Sequence, residues 1–232
     1  MNRDQPIVPI RTGNANAYLV VTGSHALLID SGPRNQERKI LTALHGLHLP
    51  PESLRLIIAT HTHYDHCGSL RALQNMTQAK VLVHQAEAGY LQRGDGGLPD
   101  GTLWFSKFMV AVGRRLIRSL ATYPPVTPDI VIWDTFALSD FGIDGYVLPT
   151  PGHTAGSLSV IIQNTHALVG DTLFHIVKNS VFPPFANDQP ELFNSWQKLL
   201  DTGCKYFYPG HGSPISRELF QTYFLKKRGK AA

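Results

Sequence analysis

Two cysteines, Cys67 and Cys204, are all that the 232 residues contain. Such a supply excludes a disulfide framework, and neither thiol needs a partner, so a reducing cytoplasm is the expected setting. Charge is sparse too, at 16% of residues, and the net balance is only +4. Part of that excess sits in Lys226-Lys227-Arg228-Gly229-Lys230. This run reads as a solvated basic tail, and no nucleic-acid partner is expected. No apolar stretch reaches the length of a membrane span. Met1 to Pro9 lack the apolar run of a signal peptide. Repeats of short period are absent. What is present is 43% hydrophobic content over 232 residues, enough to bury a full core. The expected organisation is one domain over residues 1–232 with a helical insertion at about 94–128.

The most informative stretch is His61-Thr62-His63-Tyr64-Asp65-His66, with four metal-ligand side chains in six residues. Before it runs Leu54-Arg55-Leu56-Ile57-Ile58-Ala59-Thr60, apolar and short, which reads as a buried strand. After it, Cys67 to Leu73 can open a helix. The ligand stretch is then a loop at the carboxyl end of a strand, where open α/β sheets commonly carry their sites. In such a loop His61 and His63 share one side, and Asp65 and His66 can turn toward a second point nearby. Imidazole with carboxylate suits zinc, and also iron or manganese. Cys67 follows directly; a small buried thiol is its expected role, with a place in the site wall as the alternative.

The rest of the chain repeats the pattern of strand, then loop with His or Asp, then helix. Ile7–Ile10, Ala17–Val21 and His25–Ile29 read as strands, the last two joined by Thr22-Gly23-Ser24. Asp30-Ser31-Gly32-Pro33 closes the third, with Pro33 as a first helical residue and Ile40, Leu41, Leu44 and Leu47 as a helical apolar face that Gly46 can end. Asp30, at a strand end, either orients a ligand imidazole from behind or caps the helix. Val81–Val83 reads as a strand and His84 to Gln92 as a helix. Gly94-Asp95-Gly96-Gly97 and Pro99-Asp100-Gly101 then lead into a mostly apolar helical stretch, Leu103 to Leu120, with Lys107, Arg114, Arg115 and Arg118. It is expected to pack at the rim of the site; a lid, a homodimer contact, a membrane-surface helix and a core helix stay open. Strands resume at Ile130–Trp133 and Gly145–Thr150, the latter ending in Pro151-Gly152-His153-Thr154. Leu158–Ile162 and His166–Asp171 form a hairpin with Asp171 at a strand end. Glu191–Asp201 is an amphipathic helix that buries Leu192, Phe193, Trp196, Leu199 and Leu200. Lys205–Tyr208 is a strand before Pro209-Gly210-His211-Gly212, and a last helix runs from about Pro214 to Leu225.

Taken together, His61-Thr62-His63-Tyr64-Asp65-His66, Pro151-Gly152-His153-Thr154, Gly170-Asp171-Thr172 and Gly210-His211-Gly212 resemble the metallo-β-lactamase-fold hydrolases in order and spacing. Leu28-Ile29-Asp30-Ser31-Gly32 fits that family's early strand end. The resemblance implies an α+β fold, a four-layer αβ/βα sandwich of two mixed sheets with outer helices. It implies two metals, expected to be zinc, with His61, His63 and His153 on the first, Asp65, His66 and His211 on the second, and Asp171 bridging.

Such a site implies hydrolysis through a metal-bridging hydroxide, with one cation polarising the substrate oxygen and Asp65 orienting the nucleophile or passing its proton. Asp171 departs from the zinc β-lactamases. Glyoxalase II is similar in Gly170-Asp171-Thr172-Leu173-Phe174, without its basic pattern in His175-Ile176-Val177-Lys178-Asn179. Phe174 replaces the tyrosine of the otherwise similar acyl-homoserine lactonases. The expected substrate is therefore a small carboxylic ester, thioester or lactone, in a pocket walled by Trp104, Phe108 and Phe174. A phosphodiesterase or β-lactam hydrolase on the same site is one alternative, and a non-catalytic metal-bearing sensing module is another. His25, His45, His48, His84, His166 and His175 read as structural or solvated.

Overall fold

A computed structural model describes residues 6–97, 100–102 and 121–228. Strands with apolar residues on both faces build two six-stranded sheets. The first runs in the order β1 (Ile7–Thr12), β2 (Ala15–Thr22), β3 (His25–Ile29), β4 (Leu54–Ile58), β5 (Lys80–His84), β6 (Ile130–Ile132). The second runs from its far edge as β12 (Ile215–Ser216), β11 (Tyr206–Gly212), β10 (His166–His175), β9 (Leu158–Ile162), β8 (Gly145–Pro149), β7 (Phe136–Ala137). Both sheets are mixed: β3 to β6 are mutually parallel, β10 is parallel to β11, and the other pairs are antiparallel.

Period-two alternation sorts the core into layers, because successive side chains of a strand point to opposite faces. Tyr18, Val20, Leu27, Ile29, Leu56, Ile58 and Leu82 point between the sheets, where they meet Val147, Leu158, Val160, Ile162 and Leu168. The alternate residues Ala17, Leu19, Ala26, Leu28, Ile57, Val81 and Val83 point outward. There they pack against α1 (Glu37–Gly46), α3 (Leu70–Thr77) and α4 (Gln85–Arg93) through Ile40, Leu44, Leu73 and Leu91. On the second sheet, Ile161, Ala167, Val169 and Phe207 face outward onto α5 (Gln189–Asp201) and α6 (Arg217–Arg228) through Leu192, Trp196, Leu199, Phe220 and Phe224. The result is the expected helix, sheet, sheet, helix sandwich.

Several local readings are corrected. Pro33 is not a first helical residue: α1 begins at Glu37, after a turn in which Asn35 takes a positive φ of 64°. The turn expected at Asp65 and His66 is a one-turn helix, α2 (Tyr64–Cys67), and the following helix starts only at Leu70, not at Cys67. Asp171 is not at a strand end. β10 continues to His175, with register shifts against β11 between Leu168 and Gly170 and between Gly170 and Phe174. Those irregularities, with Gly170 at φ 49°, bend the strand where Asp171 projects. Pro209 to Gly212 likewise extend β11 rather than leave it. Among the described residues no helix is long and apolar enough to cross a membrane.

Candidate metal centre

The carboxyl ends of β3, β4 and β8 and the C-terminal parts of β10 and β11 meet at one edge of the sandwich. There they gather His61, His63, His66, His153, Asp171 and His211, all buried. Asp65 joins them with a side chain 13% exposed. Their ligand atoms form three groups, each with its atoms within 4.8 Å of one another: His61, His63 and His153; His61, His66 and Asp171; and Asp65, His66 and His211. Asp171 faces both sides. Its Oδ2 lies 3.9 Å from His61 Nε2, 3.6 Å from His153 Nε2 and 3.5 Å from His211 Nε2, and its Oδ1 lies 3.3 Å from His66 Nε2. All seven residues expected as ligands are thus brought together.

Behind the rings, a second set of contacts fixes which nitrogen faces inward. His153 Nδ1 donates to the Phe185 carbonyl at 2.9 Å and His211 Nδ1 to the Asn14 carbonyl at 2.8 Å. A carbonyl only accepts, so each Nδ1 carries a proton and Nε2 is the nitrogen left to face the cluster. His66 Nδ1 donates to Asp30 Oδ2 at 2.8 Å. Thr60 Oγ1 also donates to that Oδ2 at 2.8 Å; its one proton is then used, so it accepts from His61 Nδ1 at 3.0 Å. Asp30 Oδ1 accepts from the Thr60 amide. Asp30 therefore orients an imidazole from behind, and the helix-cap alternative falls.

The inward face suits a cation. His66 Nε2 and His211 Nε2 face each other at 3.3 Å, and His153 Nε2 faces His63 Nδ1 at 3.0 Å. Two facing lone pairs repel unless a proton or a metal ion lies between them. His61 Nε2 and Asp171 Oδ1 are buried without a hydrogen bond, a costly state that coordination would relieve. Gly210 makes the convergence fit: a Cβ there would lie 2.3 Å from Asp171 Oδ1 and 2.6 Å from His66 Cε1.

The electrostatics divide the cluster. Burial, with His66, His63 and His153 nearby, pushes His61 far below the usual histidine range, and burial brings His63 down to about 3. Burial also lowers His153. For His66 and His211 burial is outweighed by the Asp171 charge, aided by Asp30 and by Asp65 respectively, so His66 is raised and His211 rises to about 10. Burial opposes ionisation of Asp65 and Asp171, yet the nearby histidines prevail: Asp65 falls to about 2 and Asp171 lies well below the carboxylate range.

Other expectations resolve in detail. Phe174 is buried and stacks on His211, with ring centroids 4.8 Å apart. Trp104 and Phe108, with the helical stretch expected over 103–120, lie outside the described residues. Cys67 is the buried thiol expected, donating to the His61 carbonyl at 3.2 Å. His84 caps α4 by accepting from the Ala86 amide. The His175 ring meets the Ser213 carbonyl at 3.2 Å. A cleft of about 610 Å³, lined by Thr22, His25, Arg55, Lys80 and Asp140 among others, shares no residue with the cluster. Sequence reasoning missed Thr60, Asn14, Phe185 and Glu87. Thr60 and Glu87 act through hydroxyl or carboxylate contacts that no local motif marks, Phe185 acts through its backbone carbonyl, and Asn14 through its carbonyl on His211 and its side-chain amide, which donates to Asp65 Oδ2 at 3.4 Å.

Similarity to known proteins agrees with the geometry. The chain is 30% identical over 202 residues to a probable metallo-hydrolase of Streptococcus pyogenes serotype M6, covering 85% of this chain and 78% of that protein. It is 32% identical over 220 residues to the acyl-coenzyme A thioesterase MBLAC2 of Gallus gallus, covering 89% and 76%. The fold superposes on the BLEG-1 B3 metallo-β-lactamase with a TM-score of 0.72 at 22% identity, over 94% of this chain and 97% of that one. The profile of the metallo-β-lactamase superfamily matches residues 10–211, so the chain belongs to that superfamily and is a metal-dependent hydrolase.

Proposed function

We propose that the chain is a binuclear metal hydrolase that cleaves a small carboxylic ester, thioester or lactone. The observation that carries this reading is the convergence of imidazole lone pairs and two carboxylates on one buried point, with His61 Nε2 and Asp171 Oδ1 unbonded. His61, His63 and His153 would hold one ion and Asp65, His66 and His211 the other, with Asp171 between them. Zinc suits this nitrogen and carboxylate set, and iron or manganese can also use it. The pair of ions would supply Lewis acidity and a water of lowered pKa.

The chain's own residues do the remaining work. Asp30, Thr60, Phe185 and Asn14 hold four imidazoles in the tautomer that leaves Nε2 free. Asp65 is the most exposed of the ligand carboxylates and stays ionised. Its carboxylate is the expected acceptor of the proton lost by the attacking water and the donor of that proton to the leaving group. Phe174 offers an apolar surface beside His211, and Trp104 and Phe108 are proposed to complete the wall. A neutral acyl group suits such a wall better than a phosphate, which needs a clamp of cations. The likeness to an acyl-coenzyme A thioesterase supports the choice of an acyl bond. The two cysteines, both buried and free, suit a reducing compartment such as the cytoplasm. A panel of ester, thioester, lactone, β-lactam and phosphodiester substrates, offered to metal-loaded protein, tests the proposal: an acyl substrate should give the highest kcat/KM.

A further inference from the structure

Glu87 sits on α4, on the outer side of the first sheet, yet its carboxylate is only 3% exposed and points toward the histidine cluster. One oxygen, Oε2, accepts from the Thr62 amide at 3.1 Å and from the Thr62 hydroxyl. The other, Oε1, accepts from the Gly156 amide at 3.2 Å. Thr62 lies between His61 and His63 on the loop after β4. Gly156 lies on the loop after β8, three residues beyond His153. A single carboxylate therefore ties together two loops that spring from different sheets. Those loops carry all three members of the group His61, His63 and His153, and none of the group Asp65, His66 and His211 has a side chain in the tie. A carboxylate is suited to the place because it only accepts, and all three groups that it meets donate. Gly156 is also needed for the approach: a Cβ there would lie 2.4 Å from Glu87 Cγ.

We propose that Glu87 is a positioning residue for the first of the two metal sites: by joining Thr62 to Gly156 it sets the spacing of His61 and His63 from His153. The proposal rests on the metal-centre reading above. Partners that orient metal ligands from behind govern affinity as the ligands themselves do, and losing one costs about 10–100-fold in metal affinity or activity. Here the effect is confined to one site. On the other side Asp30 supports His66 by direct contact with its ring.

The test is stepwise binding of cobalt(II) to the full chain, followed by chelator competition and by the visible absorption of each site, with His153→Ala marking the first-site band. Wild type should take up two ions. Glu87→Gln sets an amide N–H₂ against the backbone N–H of Thr62 or of Gly156, which can only donate; it should weaken the first site by about 10–100-fold and change its band, and leave the second site within about threefold. Thr62→Val should weaken the same site, and Thr62→Ser, which keeps the hydroxyl, should restore it. Those two decide the matter by the same criterion if Glu87→Gln does not fold. Wild-type affinity and spectrum in both Glu87→Gln and Thr62→Val would overturn the proposal. So would equal weakening of both sites, which would make Glu87 a general support of the fold. A wild-type protein that takes up no cobalt would overturn the metal-centre reading, and this inference with it.

Discussion

His66 Nδ1 lies 2.8 Å from Oδ2 of Asp30, and Asp30 holds the left-handed backbone conformation with φ at 60°. A non-glycine residue rarely takes that conformation, and aspartate is among those that tolerate it. The turn lets one side chain accept from the Thr60 amide, the Thr60 hydroxyl and the His66 ring together. Asp30→Asn keeps the size and the backbone tolerance but sets an N–H₂ against donors. It should lower metal affinity at the Asp65, His66 and His211 site by about 10–100-fold. Chelator competition reads the effect directly, and an affinity within about twofold of wild type would remove Asp30 from the site's support.

Metal content itself is the plainest check. Asp171 faces ligand atoms of both groups through Oδ1 and Oδ2, so reconstituted protein should hold two ions per chain, about 3.5–4 Å apart as in other two-metal sites. Elemental analysis gives the count and X-ray absorption the separation. At most one ion per chain after reconstitution would sink the binuclear reading.

Single histidines should separate cleanly. His61→Ala and His153→Ala each remove a ring whose inward nitrogen belongs to the cluster, and should lose metal and activity together. His84→Ala removes only a helix cap that accepts from the Ala86 amide, costing about 0.5–2 kcal/mol of stability while metal and turnover persist. Normal metal content in His153→Ala would refute its place among the ligands.

How much of this could be read from the sequence depends on how each residue acts. The seven cluster residues were legible because they sit in compact His-, Asp- and Gly-rich stretches after apolar strands. The sandwich followed from the family resemblance that those stretches carry, and largely apolar strands such as Leu54–Ile58 and Leu158–Ile162 agree with it. The supports were not legible. Phe185 and Asn14 hold His153 and His211 through carbonyl oxygens, which every residue has. Glu87 looks like any helical glutamate until α4 is folded beside the loops. Asp171 misled for another reason: a carboxylate after Gly170 reads as a strand end, whereas β10 runs on through the buried Leu173 and Phe174 and β11 pairs with it up to His175. The two-residue strands β7 and β12 exist only through their partners β8 and β11.

Removing the metal should make stability depend on pH in a defined direction. His66 and His211 are raised above the usual value of about 6.5, His211 to about 10, by the Asp171 charge against the opposing effect of burial. A raised histidine stabilises the folded state fully below its unfolded value and loses that contribution as pH climbs through the folded one. Metal-free protein should therefore lose thermal stability between about pH 6.5 and 10 from this pair. Asp65 works at the acid end: its value of about 2 gives stability that is present above the ordinary carboxylate range and lost as pH falls toward 2. Metal must displace the imidazole protons, so binding near pH 8 should release protons. Calorimetry in buffers of different ionisation enthalpy would detect them; no release, with a flat stability profile over the alkaline window, would contradict the assigned protonation.

The last expectation concerns the bond that is cut. The metal centre alone does not choose among ester, thioester, lactone, β-lactam and phosphodiester, because an activated water attacks carbon or phosphorus. Selection has to come from the walls. Phe174 lies against His211 and gives the site an apolar surface. A phosphodiester would leave two charged oxygens to be met, and phosphate sites meet them with arginine forks or lysines. Arg114, Arg115 and Arg118 form a cluster of cations able to do this, within the stretch expected to border the site. The decisive measurement is kcat/KM across the substrate panel for wild type, Phe174→Ala and a triple Arg→Gln variant at those three positions. An acyl substrate should be best, Phe174→Ala should raise its KM more than it lowers metal content, and the triple variant should leave it within about threefold, the size of a small surface effect. A phosphodiester that leads the panel, and loses its lead when the three arginines are neutralised, would make the stretch an anion clamp and overturn the acyl assignment.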